Sequence, residues 1–400
     1  MRQLKIPATF MRGGTSNAIV FHAKDLPEDR ALWTEIFQAA IGSPDPYGRQ
    51  LNGMGGGISS LSKVCVVGPP SRDDADIDYT FAQVAIRNDL VDFNNNCGNM
   101  SSAMGPFAID EGLVEVAGDE AVVRVHNTNT GKIIRARFAI DDGRAAVDGD
   151  HELPGVAGVG AKVRLEFLDP GGANTGKLLP TGNVLDALDV PGLGEIEASI
   201  VDASACGVLV EAKTIGLTGT EMPADLEVDK EIMATLQRIR CAGAVRLGLF
   251  ETLQEAEAKI GSAPRIGFVA PAQDARTLTG ERVKATDGDV TARMISMGDP
   301  HRALPLTSGM CLSVAARIEG TTVERNTRPP ENAQADVRLI HPSGVMHAGA
   351  VVRLEDDGWV AEKVGVDRTQ RRLFDGFVYV PAAAVPGLVA ARDAKADAAE

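Results

Sequence analysis

Several things are scarce in this chain. Aromatic residues make up 4% of it, with 2 Trp, 3 Tyr and 12 Phe, which disfavours the stacking platforms that bind single-stranded nucleic acid. Positive charge is in deficit: 40 Lys and Arg stand against 55 Asp and Glu, a formal charge of −15. Nucleic acid and anionic membrane are therefore poor partners, and an anionic ligand would need a locally positive pocket. No run approaches the ~20 apolar residues of a membrane span. The opening residues, Met1 to Pro7, lack the apolar core of a signal peptide. Cysteines number 5, with neither CxxC nor Cys/His metal spacing. The expectation is a reduced, cytoplasmic protein with no structural disulfide and no cysteine-based metal site. A 44% hydrophobic content over 400 residues is enough for two ordinary domains.

What is present centres on the stretch from Asn94 to Ile109. The polar run Asn94-Asn95-Asn96 stops at Cys97-Gly98, and Met100, Met104, Phe107 and Ala108 then fall on one helical face. Asn at this boundary suits an N-cap, and Pro106 is too deep for a first-turn proline, so a kink is expected there. Cys97 would lie at the positive end of a helix, where a thiolate is favoured and free amides can hold a carboxylate. Its polar, Gly-flanked surroundings are unlike those of a cysteine that simply fills a core.

The chain before this stretch reads as strand Ala8 to Met11, loop Arg12-Gly13-Gly14-Thr15-Ser16-Asn17, strand Ala18 to Phe21 and amphipathic helix Leu32 to Ile41. The loop is either a plain hairpin turn or one whose amides face a ligand. A Gly-rich segment, Arg49 to Ser60, lacks a Walker lysine–serine pair and precedes a strand, so it is not a nucleotide loop. Lys63 stands at the entry of the apolar strand that follows, and strands Tyr79 to Ile86, Val122 to Val125 and Ile133 to Ile140 come next. The Gly/Thr/Asn-rich stretch Gly171 to Asn183 is the candidate crossover between domains.

Beyond it the pattern starts again. Ser199 to Lys213 echoes Phe10 to Lys24, Lys230 to Gly248 echoes the first helix, and Arg265 to Pro271 echoes Lys63 to Pro69. Thr307 to Ala316 echoes the stretch from Cys97, and Val337 to Gly344 echoes Val123 to Gly131. Echoes in one order argue for two similar α+β lobes: residues 1–185, carrying Lys63 and Cys97, and residues 186–385, with 386–400 as a tail. Each lobe is expected to aim a helix start at a cleft between them, with Cys97 aligned to Thr307 and Lys63 to Arg265.

Met11-Arg12-Gly13-Gly14-Thr15-Ser16, Gly53-Met54-Gly55-Gly56, Ser62-Lys63-Val64, Asn96-Cys97-Gly98-Asn99 and Gly105-Pro106-Phe107-Ala108-Ile109 resemble the PrpF family. So do Ser296-Met297-Gly298, His301-Arg302-Ala303 and His341-Pro342-Ser343-Gly344, so the likeness spans nearly the whole chain. The family includes 2-methylaconitate isomerases, 4-oxalomesaconate tautomerases and 3-methylitaconate isomerases. The resemblance implies a diaminopimelate epimerase-like fold, α+β, with two similar lobes each wrapping a β-sheet around a central helix. It implies no cofactor, and a lysine and a cysteine, matching Lys63 and Cys97, that move an allylic proton. Two departures stand out: Asn17 follows Ser16 where the family has lysine, and Thr307 replaces the second thiol of the diaminopimelate epimerases.

The expected chemistry is a 1,3-allylic proton shift in an unsaturated di- or tricarboxylate, which needs a base, an acid and fixed donors for carboxylate oxygens. A partly desolvated lysine and a helix-start cysteine suit the first two. Ser16, Gly98, Asn99, Arg302, Thr307 and Ser308 are the candidate carboxylate-holding groups, and Met54 a candidate pocket wall. Arg12, His301 and His341 are open between structural and functional roles. The expected partner is a small polycarboxylate, with a homodimer as a possible assembly. A racemase or epimerase, and a non-catalytic binding protein on the same lobes, are the competing classes. Thr307 speaks against the first, and the Lys63 and Cys97 pair against the second.

Overall fold

A computed structural model describes residues 3–93, 96–259, 263–296, 298–332 and 335–397. Asn94, Asn95 and Met297, quoted among the motifs above, lie outside the described residues, as do 1–2 and 398–400. The chain is α+β and divides into two compact units, Met1–Leu165 with Asp367–Glu400, and Glu166–Val366. This differs from the boundary expected at 185/186. The strand Lys162–Leu168 carries the chain out of the first unit, and the strand Gly358–Pro381 carries it back. The division therefore falls inside strands, where no Gly/Pro punctuation marks it. The expected crossover, Gly171 to Asn183, folds within the second unit, where Asp202 Oδ2 accepts from Asn174 N at 2.8 Å and Thr175 N at 2.6 Å. The expected tail is also a structured element: Pro386–Asp397 is helical, Leu388 is buried, and Gly387 N and Leu388 N donate to the Glu35 carboxylate at 3.2 and 2.6 Å. No helix among the described residues is long and apolar enough to cross a membrane.

In the first unit, β1 (Gln3–Gly13) pairs antiparallel with β2 (Ser16–His22), and α1 (Trp33–Ile41) leads to β3 (Lys63–Gly68), parallel to β2. β4 (Ile77–Val84) runs antiparallel to β3. After α2 (Gly98–Asp110), β5 (Glu120–Asn127) is parallel to β4, and β6 (Lys132–Asp141) is antiparallel to β5. Alternation puts Ile134, Ala136 and Phe138 of β6 inward, whereas β3 is buried along its whole length, as its unbroken apolar run dictates. α1 buries one stripe, Trp33, Ile36, Phe37, Ala40 and Ile41, and ends at Gly42, whose φ of 84° requires glycine.

The helix at the centre is α2, buried on nearly every side. Gly105 and Pro106 are poor helix interiors, costing about 1 and 3 kcal/mol. Met100, Met104 and Phe107 are fully buried, and each is worth about 1.5–3 kcal/mol. Packing outweighs propensity, and the helix runs through Pro106 to Asp110 as one element. Gly105 is needed for the packing itself: a Cβ there would sit 2.9 Å from Phe138 and 3.0 Å from Ala136.

The second unit repeats the pairing order. β7 (Gly194–Asp202) is antiparallel to β8 (Cys206–Glu211), and after α3 (Lys230–Arg246), β9 (Arg265–Pro271) is parallel to β8. β10 (Val290–Ser296) is antiparallel to β9, and beyond α4 (Leu306–Ala315), β11 (Val337–His341) is parallel to β10. β12 (Gly344–Glu355) closes antiparallel to β11. A side-chain detail repeats as well. Asp76 just before β4 exchanges backbone and side-chain bonds with Arg124 of β5, and Asp289 just before β10 does the same with Arg338 of β11. In both pairs the backbone N–H of the aspartate donates to the arginine carbonyl at 2.8 Å.

Candidate active site

Lys63 opens β3, and its side chain is buried with the strand. Its Nζ donates to Gln83 Oε1 at 2.5 Å and lies 5.1 Å from the centre of the Phe81 ring. Gln83 is the direct ladder partner of Lys63. Its own amide donates to Ser62 O at 2.9 Å and Ser59 O at 3.0 Å, which turns its carbonyl oxygen toward the lysine. The preceding Gly-rich loop is ordered by a buried hub, Gln50, whose Oε1 accepts from Gly57 N at 2.9 Å and Ser62 Oγ at 2.7 Å. The lysine is thus held by neutral groups, with no carboxylate bonded to it among the described residues.

Cys97 is the N-cap of α2, with φ −104° and ψ 97°, and makes no side-chain cap bond. The asparagines beside it take other roles. Asn96 Oδ1 accepts from Ser101 Oγ at 3.2 Å and Asn127 Nδ2 at 3.3 Å. Asn99 Nδ2 donates to Thr15 Oγ1 at 3.1 Å. The first-turn amides of Gly98, Asn99 and Met100 have no acceptor within the helix. Cys97 is half-buried, whereas Cys65, Cys206, Cys241 and Cys311 are buried. Burial pushes the Cys65, Cys206 and Cys241 thiols up and Cys311 up to about 12, which leaves Cys97 as the accessible thiol. Both Lys63 and Cys97 lie close enough to Cys65 to act on its thiol electrostatically, so the two converge on one locality of the first unit.

The loop at Arg12 is a two-residue hairpin, Gly14-Thr15, closing the pair Gly13 and Ser16. It packs on the start of α2. A Cβ at Gly13 would stand 2.7 Å from Asn99 O, and one at Gly14 (φ 52°) 2.4 Å from Asn99 Oδ1. Ser16 is buried beneath the turn. Arg12 forms no ion pair among the described residues: it donates to Gly14 O at 2.9 Å and to Thr369 O and Oγ1 at 3.0 Å, pinning the hairpin. Met54 is half-buried against the core around α1, and its N–H donates to Ala40 O at 2.9 Å.

In the second unit Thr307 is the second residue of α4, and Ser308, buried, the third. Arg265 Nη1 donates to Thr307 Oγ1 at 2.9 Å and Ser308 Oγ at 2.7 Å. A hydroxyl that accepts from arginine keeps its own proton to donate. Arg302 is not brought to these hydroxyls: its side chain is exposed and faces Glu227 at 3.8 Å. His301 Nδ1 accepts from Ala303 N at 3.1 Å, and burial first, then Arg265, lowers its pKa. His341, buried, accepts from Ser343 N at 3.1 Å and serves the β11–β12 turn. Gln83 and Arg265 were absent from the residues the sequence nominated for the site. The first was readable only through the β3–β4 register, and the second was visible as the counterpart of Lys63.

A family model described as "PrpF protein" matches residues 3–381. The chain is 40% identical over 390 residues to the 2-methyl-aconitate isomerase of Cupriavidus necator, covering 95% of this chain and 98% of the relative. It is 40% identical over 379 residues to the 3-methylitaconate isomerase of Eubacterium barkeri, covering 94% and 98%. The crystal structure of methylitaconate-delta-isomerase superposes with a TM-score of 0.88 at 39% identity, covering 96% of this chain and 98% of that one.

Proposed function

The chain belongs to the PrpF family and is an isomerase, and from that premise we propose that it moves a double bond in an unsaturated di- or tricarboxylate such as 2-methylaconitate or 4-oxalomesaconate. The reaction is a 1,3-allylic proton shift. One group takes a proton from the carbon next to the double bond, and the electron pair delocalises over three carbons and the conjugated carboxylate. A proton then returns to the carbon two positions away. No electron is gained or lost overall, so the chemistry requires no redox partner.

The observation that supports the reading is that a buried lysine and an accessible thiol both act electrostatically on the buried Cys65. Lys63, on neutral partners, and Cys97, on a helix start, are the proton-transfer pair. Gln83 positions Lys63. Ser16, Gly98 and Asn99 in the first unit, and Thr307 and Ser308 in the second, are assigned to carboxylate oxygens by the chemistry of their hydroxyls, amides and uncapped helix starts. Arg302, exposed beside Glu227, is not among these groups, and Met54 packs against the core around α1. An epimerase would need a second accessible thiol, and Cys206, Cys241 and Cys311 of the second unit are all buried. Five cysteines without a disulfide fit the reduced cytoplasm.

The test is incubation of candidate unsaturated carboxylates in D2O, following ultraviolet absorbance and deuterium position together. The expected result is a change in absorbance with deuterium at the carbon that gains a proton. Exchange at one stereocentre with the double bond unmoved would mean epimerase chemistry instead.

A further inference from the structure

Arg368 is an arginine the sequence gives no reason to notice. It lies on the strand Gly358–Pro381 and is 9% exposed. Its guanidinium reaches the first turn of α2, where Nε donates to Asn99 Oδ1 at 3.3 Å, and its Cδ would stand 3.2 Å from a Cβ at Gly14. Nη1 donates to Asp367 O at 2.7 Å. Nη2 has no partner among the described residues. The neighbouring carboxylate, Asp367, is turned to Arg164 at 3.2 Å and Lys162 at 3.8 Å.

A buried guanidinium bonded only to neutral oxygens is costly, and the nearby Asp367 carboxylate offsets that desolvation only in part. Burial accordingly lowers its pKa to about 10. The locality makes the cost greater. The positive end of α2 is adjacent, and Arg12, half-buried and also on neutral acceptors only, stands opposite Arg371 in the ladder. Like charges facing across an antiparallel pair repel. In a chain of net charge −15, this is a concentration of cations with no acid bonded to Arg12 or Arg368 among the described residues.

We propose that Arg368 receives a carboxylate of the substrate at the start of α2, its Nη2, unpartnered among the described residues, acting together with the first-turn amides of Gly98 and Asn99. The proposal rests on the isomerase reading above, and it supplies the locally positive site that an acidic chain needs for an anionic ligand. Arg12 acts as a positioning residue, holding the Gly13–Ser16 hairpin against the helix start.

The experiment is a binding cycle on the intact protein with a saturated, unreactive probe. Propane-1,2,3-tricarboxylate and its analogues with one carboxylate replaced by carboxamide are titrated by calorimetry into wild type, Arg368→Gln and Arg368→Lys. Arg72→Gln, an exposed arginine paired with Asp74, is the control and is expected to bind as wild type. For one analogue, wild type should bind roughly 30-fold more weakly than it binds the parent, the scale of a broken buried charge pair. Arg368→Gln should bind the parent roughly 30-fold more weakly and lose most of that discrimination. If Arg368→Gln fails to fold, Arg368→Lys carries the test, with a smaller loss and the discrimination kept. Equal weakening of every analogue by Arg368→Gln would mean a purely structural role and overturns the proposal, as does unchanged binding. If wild type binds no member of the series and turns over no unsaturated polycarboxylate, the isomerase reading itself has failed. Normal turnover without the coupling removes Arg368 alone.

Discussion

The starts of α2 and α4 are the same place in a repeated plan, and they carry different chemistry. Each follows the fourth strand of its unit's pairing order, and each unit opens its third strand with a cation, Lys63 in one and Arg265 in the other. A lysine can give up a proton and take it back, whereas an arginine stays charged and holds anions through a rigid fork. The helix starts differ in step. Cys97 offers a thiol, and Thr307 and Ser308 offer hydroxyls already oriented by Arg265. One copy of the plan is suited to proton transfer and the other to holding oxygen. The backbone pairing is kept in both copies while the side chains at these positions differ.

The largest effect that can break this contrast lies at the first helix start. Lys63→Ala and Cys97→Ser are each expected to cut turnover by about 10²- to 10⁴-fold, measured by absorbance at saturating substrate. Losses of only a few-fold in both would remove the proton-transfer assignment. At the second start, Thr307→Val should raise KM by about 10-fold, the scale of one hydrogen bond to a charged group, while kcat changes less than about 3-fold. A kcat collapse with KM unchanged would move Thr307 into the proton-transfer step.

The smallest effects concern the hairpins that open each unit. Gly13→Ala forces a Cβ against Asn99 O and Met100 Cα and should destabilise by about 1–3 kcal/mol, as overpacking does. The second unit turns at Ser204, a non-glycine at φ 63°. Ser204→Gly should therefore be neutral or stabilising by up to about 1 kcal/mol. Urea unfolding of the two variants measures both, and destabilisation of similar size at the two positions would erase the difference between the hairpins.

Much of the site was legible because its signals are local. The switch from Asn96 to an apolar helix at Cys97, and the lysine at the mouth of an apolar strand, are patterns a short window contains. The echo between the units was legible for the same reason, since strand and helix periods survive side-chain exchange. The helix cap was misread: asparagine has the better propensity, but Asn96 is taken by Ser101 and Asn127, and the cap falls to Cys97. Arg302 stands exposed beside Glu227, a placement that adjacency to a motif does not reveal, since it says nothing about which way a side chain leaves the backbone.

The sequence by itself determined the class of fold and the order of the elements and nominated Lys63 and Cys97, because period, turn residues and residue chemistry act over a few positions. Only the tertiary structure decided what surrounds that pair. Gln83 faces Lys63 by the register of β3 on β4, and a slip of one residue would turn it to the other face of the sheet. Arg368 reaches Asn99 from 269 positions away, along a strand that crosses from one unit to the other. Where the units divide was likewise set by strand pairing rather than by the Gly-rich stretch that looked like a boundary. Such contacts come from many weak terms summed over the folded whole, and no local stretch of chain contains them.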